Sequence, residues 1–278
     1  MVLSPIEQMI FASSDRLRDI KNFMTLLPAA SNPLLEKVVV SAGTPYFVGD
    51  VHGMKNSLVR AMGLEGFNTK GDHLFSVGDL VDRGPNSLSC LRYTHKNYVH
   101  AVLGNHEKMW IDALVNPTFL GLVHILKCGG KEFVEAVLSE GWQDFVKKAW
   151  AALSVMPYAI EVEWEGKRIG VTHAEPPAKW SILYQPELPT KLLERCLWER
   201  ERFPKGGRNP VGGHIRGIDA VVVGHSIQDT PTAHYNVLNI DTGAFKKDGL
   251  LTMLAAQDVL NICLRNSKGN AELALGCA

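Results

Sequence analysis

The sequence predicts an α/β fold, on three observations. Short apolar runs recur along the chain, and each ends in a polar residue able to bind a metal or move a proton. Helical patterns separate the early runs. Late in the chain, an alternating stretch turns back on itself. The runs are YFVGD (Tyr46–Asp50), LFSVGD (Leu74–Asp79), HAVLGNH (His100–His106), IGVTH (Ile169–His173) and VVVGH (Val221–His225). Their length and composition are those of strands. Helical patterns at Asn56–Met62 and Ser87–Tyr93 lie between the first three, so this part reads as βαβαβ. Ligands of open α/β sheets gather beyond the carboxyl ends of the strands, where these polar residues fall.

The remaining elements follow from the same reading. Residues 1–44 form an N-terminal helical extension, with patterns around Ile6–Ala12 and Leu17–Leu27 broken by Pro28, Pro33 and Pro45. It carries no chemistry and is read as docking helices. Residues 45–278 form the catalytic domain, in which 108–156 is a helical, cap-like insertion rich in Trp110, Leu114, Phe119, Phe133, Val137, Trp142 and Phe145. MPYAIEVEWEGKRIGVTH alternates on both sides of Glu165-Gly166, which signals a hairpin. Tyr235–Ile240 and Leu250–Ala255 are further strand candidates.

Composition sets the class. The 278 residues are 46% hydrophobic and 21% charged, with 29 basic and 29 acidic side chains. Such a balance lacks the basic excess of a nucleic-acid or membrane surface, so neither partner is expected. Five cysteines without a CxxC pair read as free thiols in a reducing compartment. The first residues carry Glu7, Asp15 and Asp19 and no apolar core of signal-peptide length, so a cytoplasmic location is expected.

The polar endings suit a pair of metal ions. Asp50 and His52 are two apart, so in an extended backbone both side chains reach one ion. A carboxylate with an imidazole favours Mn²⁺, Fe²⁺ or Zn²⁺ over Ca²⁺. Asp79 is placed to bridge two cations, whose repulsion an anion between them offsets. Arg83, four positions on, offers a planar fork for phosphate oxygens. Asn105 supplies an amide oxygen to a metal. His106 is assigned to proton transfer, with Asp82 orienting its ring. His173 and His225 complete six ligands: Asp50, His52, Asp79, Asn105, His173 and His225. Glu107 reads either as a support for His106 or Asn105 or as an ordinary salt-bridge partner. His73, His95, His100, His124 and His234 lack a strand-end context, and His214 lies in a Gly-rich surface loop.

GDVHG, GDLVDRGP, GNHE, a strand-borne His and a later VVGH, in this order and spacing, resemble the calcineurin-like metallophosphoesterases over roughly residues 46–245. More narrowly, they are similar to the phosphoprotein-phosphatase branch and its compact bacterial and phage members. The resemblance implies two packed mixed β-sheets flanked by helices, a four-layer sandwich with the dimetal site at the strand carboxyl ends. It implies that Asp50, His52 and Asp79 hold a first ion, and that Asp79, Asn105, His173 and His225 hold a second. It also adds Arg200, after Leu197-Trp198, as a phosphate-binding partner of Arg83. Mn²⁺ is the expected metal, with Fe or Zn²⁺ as alternatives. The implied reaction is in-line attack on phosphorus by a hydroxide bridging the ions, with His106 protonating the leaving oxygen.

The expected substrate is a phosphorylated protein (phosphoserine, phosphothreonine and phosphotyrosine) or a small phosphoester. A sister group cleaves dinucleoside polyphosphates symmetrically, but it carries Ala where Asp82 stands and GNHD where this chain has GNHE. An inactive metal-binding scaffold would show damaged ligands or a damaged phosphate clamp, and the sequence shows neither.

Overall fold

A computed structural model describes Ile6, residues 14–204 and residues 208–275, with only the backbone given for 268–275. Apart from Ile6, the helical pattern at Ile6–Ala12 lies outside the described residues. The chain builds two sheets. In the larger, β1 (Leu35–Val39), β5 (Ala159–Trp164), β6 (Lys167–Thr172), β7 (Ala220–Val223), β9 (Val237–Asn239) and β8 (Thr232–His234) lie side by side in that order. In the smaller, β10 (Met253–Ala255), β2 (Pro45–Val48), β3 (His73–Ser76) and β4 (Val99–Ala101) do so. Both are mixed. Strands β2, β3 and β4 run parallel with β10 antiparallel to β2. Strands β6, β7 and β9 likewise run parallel, with antiparallel β5 and β8 on their flanks.

Alternation along the strands explains the layering. Phe47 and Phe75 point between the sheets, where they meet Ile160, Val162, Val171, Val222 and Leu238. Their neighbours Val48 and Leu74 face the opposite side and pack into a larger core under the helices. In β7 the same period sends Val222 inward and Val221 and Val223 to an outer cluster with Trp180, Leu183 and Phe203.

Helices α1 (Ser14–Met24), α2 (Lys55–Leu64) and α3 (Ser87–Leu91) supply side chains to the core under the smaller sheet. So do the four helices α4 (Asn105–Val115), α5 (Phe119–Lys127), α6 (Lys131–Leu138) and α7 (Trp142–Leu153). The α4–α7 group is held by an aromatic cluster of Trp110, Phe133 and Phe145, with the Trp110 and Phe133 centroids 4.6 Å apart. Helix α8 (Thr190–Trp198) leads into the loop bearing Arg200, and α9 (Ala256–Leu275) lies against β7, β8, β9 and β10. None of the described helices is long and apolar enough to cross a membrane.

The hairpin is where the alternation places it: β5 and β6 pair antiparallel through Trp164↔Lys167. Glu165 and Gly166 both have positive φ, 48° and 72°, as a two-residue turn of this twist requires. Strands β1 and β8 and helix α9 have no counterpart among the elements expected from the sequence. Strand β1 pairs parallel with β5 although it falls in the stretch read as helical. It is an edge strand with two adjacent charged residues, Glu36 and Lys37, and Val39 exposed, so its apolar pattern is weak. Helix α9 follows directly on β10, where only strands are expected.

Four cysteines are described, all free. Burial pushes the thiols of Cys90, Cys196 and Cys263 up to about 12. Cys128 is partly exposed and only raised. In a Cys277→Ser variant at pH 8, a disulfide reagent is therefore expected to titrate Cys128 quickly. The other three should react only after denaturation. Immediate reaction of all four in the native protein would contradict this packing.

Candidate metal centre

The carboxyl ends of five strands, three of the smaller sheet and two of the larger, meet at one place. Asp50 and His52 follow β2, Asp79 follows β3, and Asn105 opens α4 just after β4. His173 follows β6 and His225 follows β7. All six side chains are buried, none more than 5% exposed. The structure thus brings together every ligand singled out from the sequence.

The three histidines are oriented by backbone carbonyls. His52 Nδ1 donates to Val81 O at 2.9 Å, His173 Nδ1 to Val77 O at 2.8 Å and His225 Nε2 to Trp198 O at 3.0 Å. A carbonyl only accepts, so those nitrogens carry the protons. Burial also holds the rings neutral: it lowers His52 to about 3 and His225 to about 2, and it lowers His173. The remaining ring nitrogens are bare lone pairs, and they face the centre. His173 Nε2 lies 2.9 Å from Asn105 Oδ1 and 3.2 Å from His225 Nδ1. Asp79 Oδ1 is 3.5 Å from the same His173 nitrogen. Four acceptors converge with no proton among them. A cation satisfies such a set and a water satisfies it poorly, so the residues fit a metal ion.

A second group shares Asp79. Its Oδ2 lies 3.5 Å from His52 Nε2 and 3.9 Å from His106 Nε2, and Asp50 Oδ2 is 4.0 Å from His52 Nε2. The ligand atoms of His52, Asp79 and His106, and those of Asp79, His173 and His225, form two clusters within 4.8 Å. Asp79 is common to both, the position of a bridge. Asp79 is held below the usual carboxylate range against the pull of burial, and the His106 backbone N–H that donates to its Oδ1 at 3.0 Å favours the charged form.

Around this centre stand the remaining predicted residues. His106 Nδ1 donates to Asp82 Oδ2 at 2.6 Å, and Trp110 Nε1 fixes the other Asp82 oxygen at 2.8 Å. Burial pulls the imidazole of His106 down, but Asp79 and Asp82 prevail and leave it raised. Arg83 donates to His106 Nε2 at 3.0 Å and to His52 Nε2 at 2.8 Å. Its guanidinium stacks on Phe245, 4.5 Å from the ring centroid. Arg200 lies on the other side, with Nη1 donating to His225 O and Nη2 3.5 Å from His225 Nδ1.

The backbone here is strained. Seven described non-glycine residues have positive φ, and five of them are His52, Asp79, Asp82, Arg83 and His225. Each left-handed residue costs about 1–2 kcal/mol, so the surroundings must enforce it. Glu107 is the main enforcer around Asp79. Its Oε2 accepts from Asp79 N at 2.8 Å and Gly104 N at 3.0 Å, and its Oε1 from Leu80 N at 2.7 Å and Val81 N at 3.2 Å. Burial and Asp79 raise this carboxyl, while His106 and the amides lower it. Both oxygens face donors alone, so the cradle suits the carboxylate. Glu107 thus supports the turn bearing Asp79, which neither sequence alternative names.

Three other groups escaped the sequence reading. Asp241 follows β9 as the predicted ligands follow their strands, and it is 1% exposed. Phe245 covers Arg83 and meets His52 edge-on at 5.1 Å. Glu175 and Arg202 form a buried ion pair at 2.9 Å, and Arg202 also donates to Gly213 O at 2.9 Å. That pair ties the loop after His173 to the loop after Arg200 and to the glycine-rich segment. His214 in that segment is exposed.

A pair of acceptor clusters sharing one carboxylate, at the ends of parallel strands in two packed sheets, is an arrangement that could hold two metal ions. The chain belongs to the calcineurin-like phosphoesterase family, whose pattern matches residues 44–229. It is 34% identical over 200 residues to serine/threonine-protein phosphatase 1 of Salmonella typhimurium, covering 72% of this chain and 86% of that one. It is 31% identical over 199 residues to serine/threonine-protein phosphatase 2 of Escherichia coli, covering 72% and 87%. A symmetrical bis(5'-nucleosyl)-tetraphosphatase of Neisseria gonorrhoeae is 44% identical, but over 64 residues, 22% of this chain and 23% of that one. Among solved structures, a protein serine/threonine phosphatase from Saccharomyces cerevisiae shares the fold with a TM-score of 0.52 at 14% identity. The match covers 91% of this chain and 90% of that one.

Replacing Glu107 by Gln turns an amide N–H₂ toward two backbone donors and leaves them unpaired. The expected loss is about 3 kcal/mol of unfolding free energy, read by urea denaturation followed through tryptophan fluorescence. Unchanged stability would contradict this role for Glu107.

Proposed function

We propose that this protein is a dimetal-dependent phosphomonoesterase that removes phosphate from phosphoserine and phosphothreonine in proteins. The observation that carries the reading is the set of converging proton-free acceptors around Asp79, flanked by two arginines. It answers to two cations and one phosphate and to little else. The relatives named serine/threonine-protein phosphatase, matched over most of both chains, support the substrate class.

In this reading Asp50, His52 and Asp79 hold one ion, and Asp79, Asn105, His173 and His225 hold the other. Mn²⁺ suits this mixture of carboxylate, amide and imidazole donors. The ions supply Lewis acidity to the phosphate and lower the pKa of a coordinated water toward neutrality. The protein does the rest. Arg83 and Arg200 approach from opposite sides and clamp the phosphoryl oxygens, neutralising charge as it develops. His106 donates a proton to the departing serine or threonine oxygen, and Asp82, fixed by Trp110, keeps its ring turned to that task. With water as the nucleophile and the leaving oxygen taking its proton from His106, no side chain need become covalently bound to phosphorus. Free thiols at the described cysteines agree with work in a reducing compartment such as the cytoplasm.

Metal-stripped protein is expected to be inactive on para-nitrophenyl phosphate and on a phosphothreonine peptide, and to recover on addition of Mn²⁺. His106→Asn should lower kcat by about 10²-fold or more while the metal content stays the same. Arg200→Ala should cost about 10²-fold in kcat/KM. Preferential cleavage of diadenosine tetraphosphate would move the protein to the nucleotide hydrolases. Absence of turnover on all three substrates would leave only a metal-binding scaffold.

A further inference from the structure

Asp241 is buried against the centre and has a carboxylate oxygen to spare. Its backbone N–H donates to Asn239 Oδ1 at 2.8 Å, and its carbonyl accepts from Gln228 N at 2.9 Å. Its Oδ1 accepts from Gly243 N at 3.0 Å, which closes a short turn after β9. Oδ2 has nothing: among the described residues it is the one buried side-chain polar atom without a hydrogen-bond partner. A bare carboxylate oxygen in a dry site costs several kcal/mol unless a cation or donor meets it.

Its surroundings point to a cation. Asp50 Oδ2 and Asp79 Oδ2 lie 4.0 and 3.5 Å from His52 Nε2, and the Asp241 Cα packs against Gly49, the residue before Asp50. Three carboxylates therefore crowd one pocket. Neither Arg83 nor Arg200 hydrogen-bonds to Asp241 Oδ2. In the two-ion arrangement proposed above, the second ion has four protein donors and the first has only Asp50, His52 and Asp79. Two dications bring four positive charges, against which Asp50 and Asp79 set two negative ones.

We infer that Asp241 is a further oxygen donor for the first ion, bound through Oδ2 beside Asp50, His52 and Asp79. The inference rests on the dimetal reading. It evens the donor count of the two ions and brings a third negative charge to the pair. The rival role is structural, a turn residue whose Oδ1 holds Gly243. Asparagine fills that role equally well, since it keeps Oδ1 and replaces only the oxygen in question.

The experiment is calorimetric titration of metal-stripped wild type and Asp241→Asn with Mn²⁺ alone. Wild type should bind two ions. The variant should bind one as wild type does and the other at least about 10-fold more weakly. Its heat-unfolding midpoint should also rise less on Mn²⁺ addition than that of wild type. Two sites of unaltered affinity in a folded variant overturn the inference. If circular dichroism shows the variant unfolded, anomalous diffraction from Mn²⁺-loaded wild-type crystals decides. An ion about 2.2 Å from Asp241 Oδ2 supports the inference, and an ion held by Asp50 and His52 with Oδ2 beyond about 3.5 Å overturns it. Wild type that binds no Mn²⁺ overturns the dimetal reading itself, a failure distinct from the loss of Asp241 alone.

Discussion

Four backbone N–H groups, from Asp79, Leu80, Val81 and Gly104, meet on the single carboxylate of Glu107. That cradle holds the turn after β3 in a conformation it would not choose. Asp79, Asp82 and Arg83 all sit there in left-handed backbone. Asp79, Asp82 behind His106, and Arg83 thus share one support. Because Glu107 lies two residues after Asn105 and one after His106, the same helical turn that carries these two also fixes their partners. Much of the centre is in this sense one rigid unit.

The larger sheet contributes the other half, and the two halves are tied by contacts that cross between them. His173 is turned by Val77 O of the smaller sheet's β3 end, and the His225 backbone N–H donates to both Asp50 oxygens, at 3.2 and 3.1 Å. Phe47 and Phe75 below these contacts pack against the inner face of the larger sheet. Side-chain positions at the centre are therefore set by how the sheets pack, and a shift in the packing would be felt as a change in ligand spacing.

Much of this was legible in the sequence, for a definable reason. A strand buried on both faces shows as a short β-branched run, and the residue just past its end is exposed to the crevice. Asp50, Asp79, His173 and His225 all carry that signature. Asp241 carries it too, directly after the strand candidate Tyr235–Ile240, and the same rule applied once more would have found it. Glu107 could not be placed this way, because three of its four partners lie 26 to 28 residues upstream and all are backbone atoms. Strand β1 was hidden by its edge position, which tolerates the adjacent charges Glu36 and Lys37 and leaves Val39 in solvent. The Glu175–Arg202 pair reads in sequence as two ordinary surface charges, and only the fold closes them off from water.

The order of the strands bears on how the molecule is made. Strand β2, which carries Asp50, has β10 as its outer neighbour, paired Val48↔Met253, and β5 waits about as long for its place between β1 and β6 as the chain takes to grow past β6. A growing chain that ends before residue 225 lacks part of the ligand set, and one that ends before residue 253 leaves β2 with an open edge. Contacts of such sequence separation form slowly. The centre is thereby completed only after residue 225 has been made, and until residue 253 follows the unpaired edge of β2 is the surface that a chaperone would have to shield.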